Sequence, residues 1–175
     1  MTEQASEDAF QLKWELRDRG WARCHLTEGS RKVSLTVSYC TDAPADLVAV
    51  AGSLYGQWHT TRFFFDAEPQ ELRWALRATG ESVELTIYRF SDVAVSPGLP
   101  DSDGTVMWRS VYPRTVFAHA VLDAARQVLA EHGETGYRSK WVLHPFPVGP
   151  VQDLRRLHLH DDACELPHDL PDLST

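Results

Sequence analysis

The residues best suited to chemistry lie toward the C-terminal end. Leu157-His158-Leu159-His160-Asp161-Asp162 is followed by Cys164 and His168. Imidazole, thiolate and carboxylate are the side chains that ligate zinc and related divalent ions. In an extended chain His158 and His160 project to one side, with Asp162 two residues on. An HxH motif with a carboxylate can then ligate zinc or another divalent ion. His160-Asp161 also matches the HD dipeptide of metal phosphohydrolases, but that chemistry needs further histidines on packed helices, and no suitable helix is expected before it. The competing reading is a solvated terminal segment, because short motifs often match by chance. The sequence therefore assigns no metal ligand, and metal binding by the His158–His168 segment stands as an alternative function.

Other reactive groups lack complete sets. Gly52-Ser53 does not have the GxSxG spacing of a nucleophile elbow, and Ser53 falls inside a helical pattern. Cys40 follows a strand and precedes a helix N-terminus, where a thiolate can be stabilised. It sits on the polar parity beside Ser38, however, which fits an ordinary free thiol. Asp101, Asp103 and Gly104 imitate half of a calcium loop, but the twelfth position from Asp101 is Tyr112 rather than glutamate. Neither GxxxxGK[ST] nor GxGxxG occurs, so no nucleotide or other cofactor is expected. An enzyme of unrecognised type, with His119, Cys40 and Arg109 as candidate groups, remains a second alternative. His119 falls two residues past Phe117, off the expected buried stripe.

A surface offers a different kind of site. If Leu72, Trp74 and Leu76 face the core, then Arg73 and Arg77 face away, and Tyr88 shares that outward parity on the following strand. Arg109 joins them from the last strand. Arginine and aromatic side chains on a rigid face have the composition of protein-interface hot spots. Arg73, Arg77, Tyr88 and Arg109 are the expected partner-binding residues, against the alternative of scattered cross-strand pairs such as Arg77 with Glu84.

The elements that position these residues follow from periodicity. Leu12, Trp14 and Leu16, then Ala22, Cys24 and Leu26, then Val33, Leu35, Val37 and Tyr39 alternate with polar residues and predict three strands. Thr41 or Asp42 caps a helix with Pro44 in its first turn and a Leu47, Val50, Ala51, Leu54 stripe. Arg62–Asp66, Leu72–Arg77, Val83–Tyr88 and Val106–Ser110 predict four more strands. Residues 115–131 form the longest helix, ended by Gly133. A short helix or turn follows at Glu134–Trp141, with one or two helical turns at Val151–Leu157. Short connections favour antiparallel pairing. The expected fold is α+β, a two-layer sandwich of about six or seven strands in the order β-β-β-α-β-β-β-β-α. Its helices pack on one face, and a short helical appendage follows.

The chain has 175 residues, six Trp, five Tyr, seven Phe and a net charge of −8. This is one domain's length with ample apolar content for a core. The charge is uneven. Glu3, Glu7 and Asp8 carry three of the excess acids and Asp161, Asp162, Glu165, Asp169 and Asp172 the other five, with no Lys or Arg in either segment. The expected organisation is an acidic lead at 1–9, one domain at 10–160 and an acidic tail at 161–175. The acidity argues against nucleic acid, whose phosphates need clustered Lys and Arg. No apolar run is long enough to span a membrane, and no signal peptide is visible. Three cysteines without CxxC spacing fit a reducing cytoplasm.

Phe63-Phe64-Phe65-Asp66-x-Glu68-Pro69-x-Glu71-x-Arg73-Trp74, and Tyr137-Arg138-x-Lys140-Trp141-x-x-His144-Pro145-Phe146-Pro147, give the chain a likeness to known sequences. It resembles a group of small actinobacterial proteins, and its strand order is similar to that of immunity proteins of bacterial toxin systems. The resemblance implies no catalytic residues. A compact fold, no complete catalytic set and the arginine and aromatic face point to a protein-binding module, immunity-like or regulatory, acting by stoichiometric binding to a protein partner. A homodimer is also compatible with the sequence.

Overall fold

The computed structural model describes residues 9–57 and 59–171, so residues 1–8 of the expected lead, Trp58 and the last four residues lie outside it. Along the described residues run β1 (Gln11–Leu16), β2 (Trp21–Glu28), β3 (Arg31–Ser38), α1 (Ala43–Ser53), β4 (Thr60–Ala67), β5 (Gln70–Thr79), β6 (Ser82–Phe90), β7 (Thr105–Pro113), α2 (Arg114–Lys140) and α3 (Val148–Asp161). The architecture is the expected α+β sandwich. Its strands divide into two antiparallel sheets, β1-β2-β3 and β4-β5-β6-β7.

Side-chain alternation sets the register. Trp14 opposes Cys24 and Cys24 opposes Leu35, so an apolar row crosses the first sheet. Phe65 opposes Leu72, while Trp74 opposes Ile87 and Ile87 opposes Trp108, giving the corresponding rows of the second. Trp14 and Phe65 approach to 5.6 Å between ring centroids, and Phe10 stacks on Tyr112 at 4.3 Å. Both sheets and the helices thus share one core. At the start of α1, Pro44 occupies the first turn, where a missing N–H costs nothing. The Asp42 side chain does not cap the helix and instead accepts the Trp141 indole N–H at 3.3 Å.

Two apolar stripes run along α2. Phe117, Val121, Ala124 and Val128 form one, and Ala118, Leu122, Ala125 and Leu129 the other. Accordingly α2 touches β1, β6 and β7 as well as α1 and α3. Gly133, at φ 62° and ψ 176°, interrupts it with a conformation that a Cβ would disfavour. Helix α3 is longer than the one or two turns expected. Val151, Leu154 and His158 follow one another at i, i+3 and i+7 and are its buried residues.

That helix overturns the extended reading of the histidines. Residues two apart on a helix point roughly 200° apart, so His158 is fully buried while the His160 side chain is 86% exposed. The tail also departs from expectation. The Asp162 side chain is 4% exposed and pairs with Arg114 at 2.8 Å, and Pro167, His168 and Leu170 lie against α2 and α3.

Arg73 requires a further correction, because it is 7% exposed and not presented to a partner. The Pro- and Gly-rich loop after β6 folds into two 3-10 turns, Ser96–Gly98 and Asp101–Asp103, which cover the outer face of β5. At its end Gly104 lies so close to β6 that a Cβ would meet the Phe90 ring at 2.8 Å. Among the described residues no helix is long and apolar enough to cross a membrane.

Candidate metal centre

Helix α2 carries His119 on the same face as Leu122, Asp123 and Arg126, at i, i+3, i+4 and i+7. Helix α3 carries His158 at the end of its buried stripe. The chain turns at Ala163, with φ 47°, and brings Cys164 and His168 back to the two helices. The ligand atoms of His119, His158, Cys164 and His168 lie within 4.8 Å of one another.

The spacing suits a tetrahedral ion. Zinc with nitrogen and sulfur ligands places nitrogens about 3.3 Å apart and nitrogen about 3.6 Å from sulfur. Here His119 Nδ1 is 3.2 Å from His168 Nε2 and 3.8 Å from Cys164 Sγ. Ligation draws the widest pair in by about 1 Å.

Hydrogen bonding fixes the role of His158. Its Nδ1 donates to Asp162 Oδ2 at 2.9 Å, which leaves Nε2 as the ligand atom. Nε2 is buried and has no hydrogen-bond partner. Asp162 is itself held by the Tyr55 hydroxyl, which donates to Oδ2, and by Arg114, whose Nη2 donates to Oδ1 at 2.8 Å. The Arg114 guanidinium also lies over the Tyr55 ring at 4.4 Å. Burial alone would raise the Asp162 carboxyl. The hydrogen bonds from Tyr55, Arg114 and His158 outweigh it and hold Asp162 below the usual carboxylate range. Burial is the main reason that His119 and His168 both lie below the usual imidazole range, opposed in part at His119 by the Asp123 carboxylate. Neutral imidazole is the form that binds metal.

Of the segment His158–His168 singled out in the sequence, His158, Cys164 and His168 join the cluster. His160 faces outward and bonds to Asp161. His119, set aside as off the buried stripe, is half-buried because α3 and the returning tail cover that side of α2.

The remaining candidates are separate. Cys40 is exposed, and its thiol donates to Glu68 Oε1 at 3.0 Å. That hydrogen bond pushes the thiol up, away from a reactive thiolate. Ser53 donates to the Val50 carbonyl at 2.6 Å. Asp101 pairs with Arg62 at 2.8 Å and Arg73 at 3.0 Å, so its oxygens serve the loop. On the outer face of the second sheet Arg77 and Arg109 are exposed and Tyr88 is half-buried, with Arg109 Nη2 3.4 Å from the Tyr88 hydroxyl.

A Glu15–His25–Ser34 chain of hydrogen bonds, at 3.1 and 2.7 Å, crosses the first sheet and was not anticipated. Ser34 and His25 are directly opposed on neighbouring strands, and matching the outward parities of the three strands would have revealed the chain. It belongs to the cross-strand pairing of an open sheet face. No protein family, curated protein or solved structure matches the chain.

Proposed function

We propose that this protein binds zinc through His119, His158, Cys164 and His168, and that the ion clamps the segment after α3 onto the helices. The observation that carries this reading is the buried, unpartnered Nε2 of His158, whose other nitrogen is oriented by Asp162. A buried polar atom without a partner is costly, and a cation facing three further lone-pair donors removes that cost. Three imidazoles and one thiolate suit zinc. Four protein ligands fill a tetrahedral shell, so the centre is structural or regulatory rather than hydrolytic. A single thiolate ligand fits a reducing compartment such as the cytoplasm. Metal analysis of untagged protein should find about one zinc per chain. His158→Ala should lose it, and retention of full zinc content by that variant would sink the reading.

A second reading, an immunity-like or regulatory protein-binding module, is supported by the outer face of the four-stranded sheet. Val111 is 63% exposed and Val106 46% exposed beside Arg109 and Tyr88, and Arg77 lies on the same face. Aliphatic, aromatic and arginine side chains on rigid strands form the composition that hot spots use. The double variant Arg77→Glu, Arg109→Glu should release a stoichiometric partner captured from native cells. Unchanged capture would exclude this face.

A further inference from the structure

The four ligands of the centre are not chemically alike. A thiolate is oxidised by peroxide, most readily where it is accessible, and neutral imidazoles survive the same mild conditions. Cys164 is the cluster's one sulfur. It is half-buried between exposed Ala163 and Glu165, whereas His158 is fully buried. We propose that Cys164 is a peroxide-sensitive release point, whose oxidation to a sulfenic acid expels the zinc and unfastens the segment after α3. This rests on the zinc reading above.

The chain holds three cysteines, and their surroundings separate them. Cys24 is fully buried in the row between Trp14 and Leu35, and burial pushes its thiol up. Cys40 is exposed, but its hydrogen bond to Glu68 pushes that thiol up as well. A protonated thiol is a poor nucleophile. Cys164 Sγ lies 3.8 Å from His119 Nδ1, with His158 and His168 completing the cluster. A sulfur that ligates zinc there is a thiolate. Access and thiolate character coincide at Cys164 alone.

Hydrogen peroxide is the oxidant, and the step balances between it and the sulfur. The Cys164 thiolate attacks one peroxide oxygen, so an S–O bond forms as the O–O bond breaks. Sulfur gives up two electrons, the peroxide takes them, and hydroxide leaves. The sulfenic acid is neutral and a weak ligand, so the Zn–S bond is lost. The segment then keeps one ligand, His168, where it had two. No second cysteine belongs to the cluster, so no disulfide within it consumes the product. A small-molecule thiol reverses the change. It attacks the sulfenic sulfur with loss of water, and a second thiol cleaves the mixed disulfide and frees Cys164.

The experiment treats the full zinc-loaded chain, dialysed free of unbound metal, with hydrogen peroxide in the presence of a chromophoric zinc chelator. Zinc should leave in proportion to the sulfenic acid trapped by dimedone on Cys164, located by peptide mass mapping. Loss of an outer partner of a metal ligand costs about 10–100-fold in affinity, so loss of this ligand should weaken zinc by at least about 100-fold. Glutathione and fresh zinc should restore about one ion per chain. Cys40→Ser should respond as the wild type does. Cys164→Asp, which keeps an anionic fourth ligand without sulfur, should hold its zinc under peroxide. The proportion between release and adduct is read on the wild-type chain, so the test stands even where that variant fails to fold. Zinc retained by the oxidised wild-type chain, or release abolished by Cys40→Ser, overturns the switch and leaves zinc binding intact. Failure of the reduced wild-type chain to take up zinc in calorimetry overturns both readings.

Discussion

Among the described residues two polar clusters stand out, and in each an irregular segment folds back over regular elements. Under the loop after β6, Arg73 donates to Glu71, Ser96, Leu99 and Asp101, Ser96 donates to Glu71, and the Phe90 ring lies 4.2 Å from the guanidinium. Under the segment after α3, three imidazoles and a thiol converge, and one imidazole nitrogen has no partner. The first cluster balances donors against acceptors and cation against anion, so it is complete within the protein. The second has more lone pairs than protons to share among them, and such a set calls for a cation. Burial and charge are common to both. The donor balance distinguishes a structural network from a site.

Breaking the balanced cluster should have the largest effect. Arg73→Ala leaves Glu71, 1% exposed, without its cation. Removing one partner of a buried ion pair costs about 3–5 kcal/mol, and urea denaturation should show that loss with or without zinc. A loss below about 1 kcal/mol would place Arg73 among ordinary surface pairs. Next comes removal of the metal. With free zinc at about 100 times its dissociation constant, binding adds about 2.7 kcal/mol to folding stability. Chelation should then lower the melting temperature by about 5–11 °C. His158→Ala should show no response to chelation, whereas Arg73→Ala should respond fully. If both variants respond alike, the two clusters are not separate devices.

The same contrast explains what the sequence reveals. Strands carry their pattern locally, so the alternation of Leu12, Trp14 and Leu16 or of Val83, Leu85 and Ile87 is enough to place them, and their pairing follows from short connections. The metal cluster is not local. His119 and His158 are 39 residues apart and meet only because α3 packs on α2. Continuing the Val151, Leu154 stripe one more turn would have placed His158 on the buried side, but the polar run His160-Asp161-Asp162 hides that continuation. Arg73 presents the opposite difficulty. Parity correctly put it on the outer face of β5, yet nothing periodic announces that a loop of prolines and aspartates will cover it. Periodicity reports which way a side chain points; what later lies over it is decided by tertiary packing.

A smaller effect tests how the cluster is supported. Asp162→Asn keeps the volume of the side chain that orients His158 but removes its charge, which also answers Arg114. Loss of such an outer carboxylate typically costs 10–100-fold in metal affinity, measurable by competition with a chromophoric chelator. Tyr55→Phe removes one of the four hydrogen bonds to the same carboxylate and should cost less. An equal or greater loss for Tyr55→Phe would place Tyr55, rather than Asp162, as the main orienting group.

The smallest expected effect is the most discriminating one. In an extended chain His158 and His160 would serve the ion as equals, and replacing either would cost the same. On α3 they lie on opposite sides, with His160 in solvent beside Asp161. His160→Ala should therefore change stability by less than about 0.5 kcal/mol and leave both zinc content and affinity at the wild-type value. His158→Ala in the same assay should abolish stoichiometric zinc. Zinc content falling to the same extent in both variants would mean that this stretch is not helical when it binds metal, and that the ligand set is HxH rather than the one joining α2, α3 and the returning segment.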